Sequence, residues 1–214
     1  MPHIQKGFLH ICRDGSIGNI AEIGASQLCD VKILADTLGL HGELTSADEL
    51  YRWILAREER SLGKDHLNTL DTVNCLAIVY QRQGKYDEAL ESHRRALVEK
   101  EMSLGRDDLD TLFTVHGIAD VLGKQGKSDE ALEWHRRALT GREMSLGMDH
   151  PNTLSTVYCM ASVFRNQGRY DEALAWYQRA LAGMEKSLGK DHHPTLAAVF
   201  GMAVNRYMAG REDR

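Results

Sequence analysis

Leu62-Gly63, Leu104-Gly105, Leu146-Gly147 and Leu188-Gly189 recur at a constant step of 42 residues, and no other feature restricts the fold of this chain as severely. The same step relates Gly84, Gly126, Gly168 and Gly210, reaches back to Gly42, and relates the segments QGKYDEAL (83–90), QGKSDEAL (125–132) and QGRYDEAL (167–174). A fixed period of this length marks a stacked array, in which each unit buries its apolar face against the next. The step also disposes of a tempting motif. Gly126-Lys127-Ser128 matches the end of a phosphate-binding loop, but the glycine required five residues earlier is Val121, and the preceding apolar residues have helical spacing where a strand is needed.

Each unit reads as two helices. In the first, Val73, Leu76, Ala77 and Tyr80 fall on one stripe, as do Val115, Ile118, Ala119 and Leu122 and their equivalents in the other units. The last copy, Val199, Met202, Ala203 and Arg206, is the least apolar. A glycine after Gln83 suits a helix C-terminus, where a left-handed residue is inexpensive only without a Cβ. Asp87 is expected to cap the second helix, which we place over 88–103. That helix turns Ala89, His93, Ala96 and Leu97 inward, matched by Ala131, His135, Ala138 and Leu139 and by Ala173, Tyr177, Ala180 and Leu181. Small residues at two fixed places let paired helices approach closely. First helices are expected near 26, 68, 110, 152 and 194, and second helices near 46, 88, 130 and 172, so the array occupies 26–214. Residues 1–25 fall outside the period and are expected to form an irregular or degenerate capping segment, with Ile4, Phe8, Ile11 and Cys12 as its apolar residues.

Bulk properties narrow the function. With 214 residues and 43% hydrophobic content the chain can bury a core, and only three prolines interrupt a composition rich in helix formers. A net charge of −5 without a basic block argues against a nucleic-acid binder. No apolar run approaches a membrane span, and Lys6, His10 and Arg13 interrupt what would be a signal-peptide core, so no membrane partner and a cytoplasmic location are expected. The four cysteines have no CxxC spacing; Cys75 and Cys159 share a phase two units apart, beyond the reach of a disulfide.

The unit resembles the tetratricopeptide repeat, whose W-x2-L-G-x2-Y and A-x3-F positions correspond to Val73-x2-Leu76-Ala77-x2-Tyr80 and Ala89-x3-His93. Its 42-residue length and the LG[KRM]DHPNTL-like joint are similar to the kinesin-light-chain subtype, also found in arrays of NTPase-type immune sensors. The resemblance implies an all-α, right-handed superhelical solenoid of antiparallel helix pairs. It further implies a non-catalytic module that binds a peptide or protein segment in a concave groove. The alternatives are a sensor or scaffold fragment of a larger NTPase-type immune receptor and a kinesin-light-chain-like cargo adaptor.

Under that resemblance, the groove is lined by the first-helix residues opposite the core stripe. We select Lys32, Asn74, Arg82, His116, Asp120, Lys124, Tyr158, Ser162, Asn166 and Phe200 as its partner-binding residues. Phe113 and Ser155 share the face. The family's carboxylate-clamp members use Lys and Asn here, a set that Lys32, Asn74, His116 and Tyr158 do not repeat. Replacing Asn74, His116 and Tyr158 by Ala is expected to abolish binding while leaving unfolding nearly unchanged. The apolar stripe of the last helix is expected to pair two copies end to end through 194–210, or else to fray.

No catalytic site and no cofactor are expected. No Ser, His and Asp form a nucleophile constellation, and no carboxylate pair stands out. His66, His150 and His192 recur in Asp-His pairs. Residues of one phase lie a repeat apart, however, and helices packed about 8–10 Å apart cannot share an ion needing bonds of about 2 Å. We therefore assign these pairs to the joint between units, assign His93 and His135 to the packing slot that Tyr177 fills, and expect no metal ligand set.

Overall fold

A computed structural model describes residues 28–212, so the proposed capping segment at 1–25 lies outside the described residues apart from the array itself. Among the described residues every regular element is a helix. The described residues divide into two compact units, with the boundary between Ile54 and Leu55. In the first, α1 (Leu28–Leu40) buries Val31 and Ala35. The beginning of α2 (Leu44–Ser61) buries Ala47, Leu50, Tyr51 and Ile54, and the Tyr51 hydroxyl donates to the Asp36 carboxylate.

The second unit holds α3 (Leu67–Arg82), α4 (Tyr86–Leu104), α5 (Leu109–Lys124), α6 (Ser128–Leu146), α7 (Pro151–Asn166), α8 (Tyr170–Ser187) and α9 (His193–Glu212). Each helix packs on its neighbours in sequence, and the first helices α3, α5, α7 and α9 also touch one another in succession. One face of the stack is thus built from first helices alone. The expected stripes are its core: Val73, Leu76, Ala77 and Tyr80, Val115, Ile118, Ala119 and Leu122, and Val157, Met160, Ala161 and Phe164 are all buried. Ala89, Ala96, Ala131, Ala138, Ala173 and Ala180 are each 0% exposed, which is what lets the helices come close. Repeated ion pairs, Arg95 to Glu59 at 2.8 Å, Arg137 to Glu101 at 2.5 Å and Arg179 to Glu143, join consecutive second helices.

The period-42 glycines act as chain reversals. Gly84, Gly126 and Gly168 have φ of 78°, 79° and 75°, and Lys85 donates its backbone N–H to the Tyr80 carbonyl at 2.9 Å, closing a Schellman turn. At the other joint, Gly63 and Gly189 accept from the buried Thr69 and Thr195 hydroxyls at 2.9 and 2.8 Å. The Asp-His pairs belong to these joints as expected. His66 and His150 are the N-caps of α3 and α7, each accepting through Nδ1 from the backbone N–H two residues on. Asp108 does the same for α5.

Three details differ from the sequence expectation. The second helices begin two residues earlier, at Tyr86, Ser128 and Tyr170. Asp87 therefore lies inside the first turn rather than at the cap, where it stabilises the helix dipole and accepts from Gln125 at 2.8 Å; Lys85 is the cap residue and offers no side-chain bond. Gly210 does not reverse the chain. Its φ is outside the left-handed region and α9 continues through it to Glu212. On α9 the expected stripe is also not the buried one: Val199 is 42% exposed, while Thr195, Ala198, Gly201 and Asn205 face inward.

Candidate functional site: the first-helix face

The face built from α3, α5, α7 and α9 has a deep layer and an outer layer. The deep layer is a column at one repeat position of the second helices, His93, His135 and Tyr177, all 0% exposed. These rings reach beneath the first helices. A Cβ built on Gly117 would lie 2.6 Å from the His93 ring, and one on Gly201 would lie 2.7 Å from the Tyr177 ring, so the first helix of each following unit is seated directly on them.

In two of the three units the buried ring makes a local hydrogen bond, although Nε2 of His93 has no partner. His93 Nδ1 and Asn74 Oδ1 are 3.0 Å apart, and Asn74 Nδ2 donates to Thr114 Oγ1 at 2.7 Å. Tyr177 Oη and Ser162 Oγ are 2.9 Å apart, and Tyr158 stands edge-on to Tyr177 with centroids separated by 5.5 Å. The third unit is different. His116 and His135 tilt against each other with centroids 5.2 Å apart. His116 Nε2 lies 3.6 Å from Asp120 Oδ2, and His135 Nε2 lies 3.5 Å from Asp120 Oδ1. Those separations exceed the roughly 2.7–2.9 Å of a charge-assisted hydrogen bond, and neither ring nitrogen of His135 has a hydrogen-bond partner. The Cys159 thiol of α7 lies near the same carboxylate.

Burial controls the protonation of this cluster. It lowers both His116 and His135 to about 3, reinforced by the Arg142 guanidinium for His116 and by the His116 charge for His135, so both imidazoles are neutral near pH 7. Burial also raises Asp120, against the opposing pull of His135, and pushes the Cys159 thiol well up, helped by the Asp120 charge. Arg142 itself is 5% exposed and is held by the Thr156 hydroxyl at 2.7 Å and the Asn152 carbonyl at 3.0 Å.

The selected groove residues distribute between these layers. Asn74 is 1% exposed and its amide is engaged inside the protein, so it lies beneath the face rather than on it. His116, Asp120, Tyr158 and Ser162 are half-buried and belong to the two clusters just described. Arg82, Lys124 and Asn166, at the C-terminal ends of α3, α5 and α7, are exposed, as are Phe113 at 45% and Phe200 at 70%. Lys32 is half-buried on α1, in the other compact unit. Phase reasoning missed His135, Cys159 and Arg142. A signal existed, since the column Tyr51, His93, His135, Tyr177 never carries an aliphatic residue although it is buried in every unit.

An all-α array of helix pairs with glycine reversals at a constant step, stacked so that first helices line one face, defines a helical-repeat protein. The family model of the tetratricopeptide repeat matches residues 30–98, 70–144 and 152–214, and the chain belongs to that family. Among solved structures it is similar to kinesin-light-chain nearly identical TPR-like repeats of Podosopora anserina, with 23% identity over 88% of this chain and 89% of that one and a TM-score of 0.70. It is also similar to BtubC (BKLC) from P. vanneervenii, with 19% identity over 97% and 80% of the two chains and a TM-score of 0.72. A Rap protein complexed with Competence and Sporulation Factor matches at 16% identity, covering 89% of this chain and 51% of the Rap chain, with a TM-score of 0.75. These likenesses are likenesses of fold. A comparison with curated protein sequences returned no match. No helix among the described residues is long and apolar enough to cross a membrane.

Proposed function

We propose that this chain is a non-catalytic, cytoplasmic protein-interaction module that holds an extended or helical segment of another protein against the first-helix face. The observation that carries this reading is the outer layer of that face. Phe113 is a large apolar side chain left 45% exposed near the start of α5, one turn from the 40% exposed Leu109, and Lys124 and Asn166 occupy one exposed repeat position at the C-terminal ends of α5 and α7. An apolar anchor at one end of the face and polar groups at the repeat spacing toward the other end suit a linear ligand, whose apolar side chain is buried while its backbone and carboxylates are met in register. The rigid deep layer holds that surface in place before a ligand arrives, which lowers the entropy cost of binding.

The likeness to kinesin-light-chain repeats favours a cargo-adaptor use of the same surface over a receptor-fragment role. A second contact is proposed at α9, where Leu196, Val199, Phe200 and Tyr207 are 52%, 42%, 70% and 65% exposed and would pair with the same face of a second copy. Sedimentation that finds only monomer, with slow amide exchange across 194–210, would remove that contact from the account.

The binding reading is tested by panning random linear peptides on the purified chain and following backbone amide exchange with the best binder. Protection concentrated on α3, α5 and α7 is the expected result. Protection confined to the exposed sides of α4, α6 and α8 would overturn it.

A further inference from the structure

The third unit carries a polar cluster with a property its neighbours lack. The equivalent side chains are Asn74, Ile78 and His93 in the unit before and Tyr158, Ser162 and Tyr177 in the unit after, and each of those sets contains a closed hydrogen bond of 3.0 or 2.9 Å. In the third unit the set is His116, Asp120 and His135, three groups that all bind metals, and it is open. His135 is fully buried with both ring nitrogens unpartnered, and the buried Nδ1 of His116 is unpartnered as well. Buried polar atoms in native proteins are nearly always satisfied, so the orphaned His135 Nε2, facing the Asp120 carboxylate beside His116 Nε2, points to a missing group between them.

Its chemistry follows from the donors and the spacing. One ligand atom from each residue lies within 4.8 Å of the others, and His116 Nε2 and His135 Nε2 lie 3.6 and 3.5 Å from the two oxygens of the Asp120 carboxylate. Donors bound tetrahedrally at about 2.0–2.1 Å are separated from each other by about 3.3 Å, so a small inward shift closes the set around one ion. Two imidazoles and one carboxylate suit zinc or a neighbouring first-row divalent ion, and exclude the all-oxygen shell that calcium or magnesium prefers. We propose that His116, Asp120 and His135 form a mononuclear zinc-type site that ties α5 to α6. Its fourth position faces the first-helix surface, where His116 and Asp120 keep 13% and 31% of their side chains exposed.

The phase argument that separates His66, His150 and His192 leaves this set untouched, because its members occupy three different repeat positions and meet within one helix pair.

The test is titration of chelator-treated full-length protein with zinc chloride by calorimetry, with thermal unfolding measured alongside and cobalt chloride as a spectroscopic probe. His192→Ala with His193→Ala serves as the background, to remove the adjacent exposed pair. The expected result is one tight equivalent, a raised Tm, and a cobalt visible spectrum of tetrahedral type. His116→Gln and Asp120→Asn, both at half-buried positions, should each weaken zinc by about 100-fold or more while leaving the metal-free helix content intact, since even outer-shell changes cost 10- to 100-fold. Uptake that is absent, or that is equal in the wild type, His116→Gln and Asp120→Asn, overturns the site. Should either variant unfold without metal, the cobalt spectrum of the wild type decides: an octahedral aquo-like spectrum overturns the proposal.

Discussion

Gly117 and Gly123 lie on one helix, six residues apart, and the same substitution at each separates helix propensity from packing. Alanine is favoured over glycine inside a helix by about 0.5–1 kcal/mol, so both variants start with the same gain. At Gly123 the new Cβ would meet Val163 Cγ2 at 3.5 Å and Ala131 Cβ at 3.8 Å, ordinary contacts, and the gain should be kept. At Gly117 it would meet His93 Cε1 at 2.6 Å and Nε2 at 2.7 Å. The ring cannot yield easily, being 0% exposed and tied to Asn74 at 3.0 Å. Overpacking of this kind costs about 1–3 kcal/mol, so Gly117→Ala should be neutral to destabilising and the two variants should differ by about 1–3 kcal/mol. Urea unfolding followed by circular dichroism measures both. In a His93→Ala background the obstacle is gone, and Gly117→Ala should then stabilise by about 0.5–1 kcal/mol. If Gly117→Ala stabilises the wild type as much as Gly123→Ala does, the seating of α5 on the His93 ring is wrong.

Asn74→Ala should destabilise by about 2–3 kcal/mol, because it removes the partners of the buried His93 and Thr114; denaturant midpoints check this, and they replace the sequence-based expectation of unchanged unfolding. Ala131→Leu should cost about 1–3 kcal/mol by overpacking a fully buried joint, read as a lowered Tm. Acidification should weaken the fold through His93, which burial, then the nearby His116 and Lys100 charges, lowers from 6.5 to about 4. The unfolded chain binds the proton more tightly, so the contribution is complete above pH 6.5 and falls away as pH drops toward 4, amounting to about 2 kcal/mol by pH 5. His93→Gln should reduce the loss of stability between pH 7 and pH 5 by about 2 kcal/mol, the rest coming from His116 and His135, which burial lowers further; an unchanged loss would contradict the assignment.

Much of the fold can be read from the chain because it rests on local chemistry. The period, the glycine reversals, the small-residue joints and the His66 and His150 caps each depend on a few adjacent residues. What escapes the sequence depends on depth. Steps of 100° place Asn74 and His116 on one side of their helices, yet one is buried and the other half-exposed, because the second-helix ring beneath and the next first helix above decide how much of that side reaches solvent. The His116, Asp120 and His135 cluster escaped for a related reason. Comparing residues of equal phase can only pair one unit with another, whereas these three meet across phases inside a single unit. The continuation of α9 through Gly210 makes the same point for turns: a glycine at the repeat position permits a reversal and does not by itself impose one.

The central claim is that the exposed first-helix face grips a linear segment of another protein. Its most direct measurement is the affinity of a display-selected peptide for the wild type, for the combined variant Phe113→Ala, Lys124→Ala, Asn166→Ala, and for a second-helix control, Glu133→Ala with Arg136→Ala, all at exposed positions. The account predicts at least a tenfold rise in Kd, about 1.4 kcal/mol, for the first variant and no change for the control. Equal affinity for all three proteins, or loss only in the control, would contradict it.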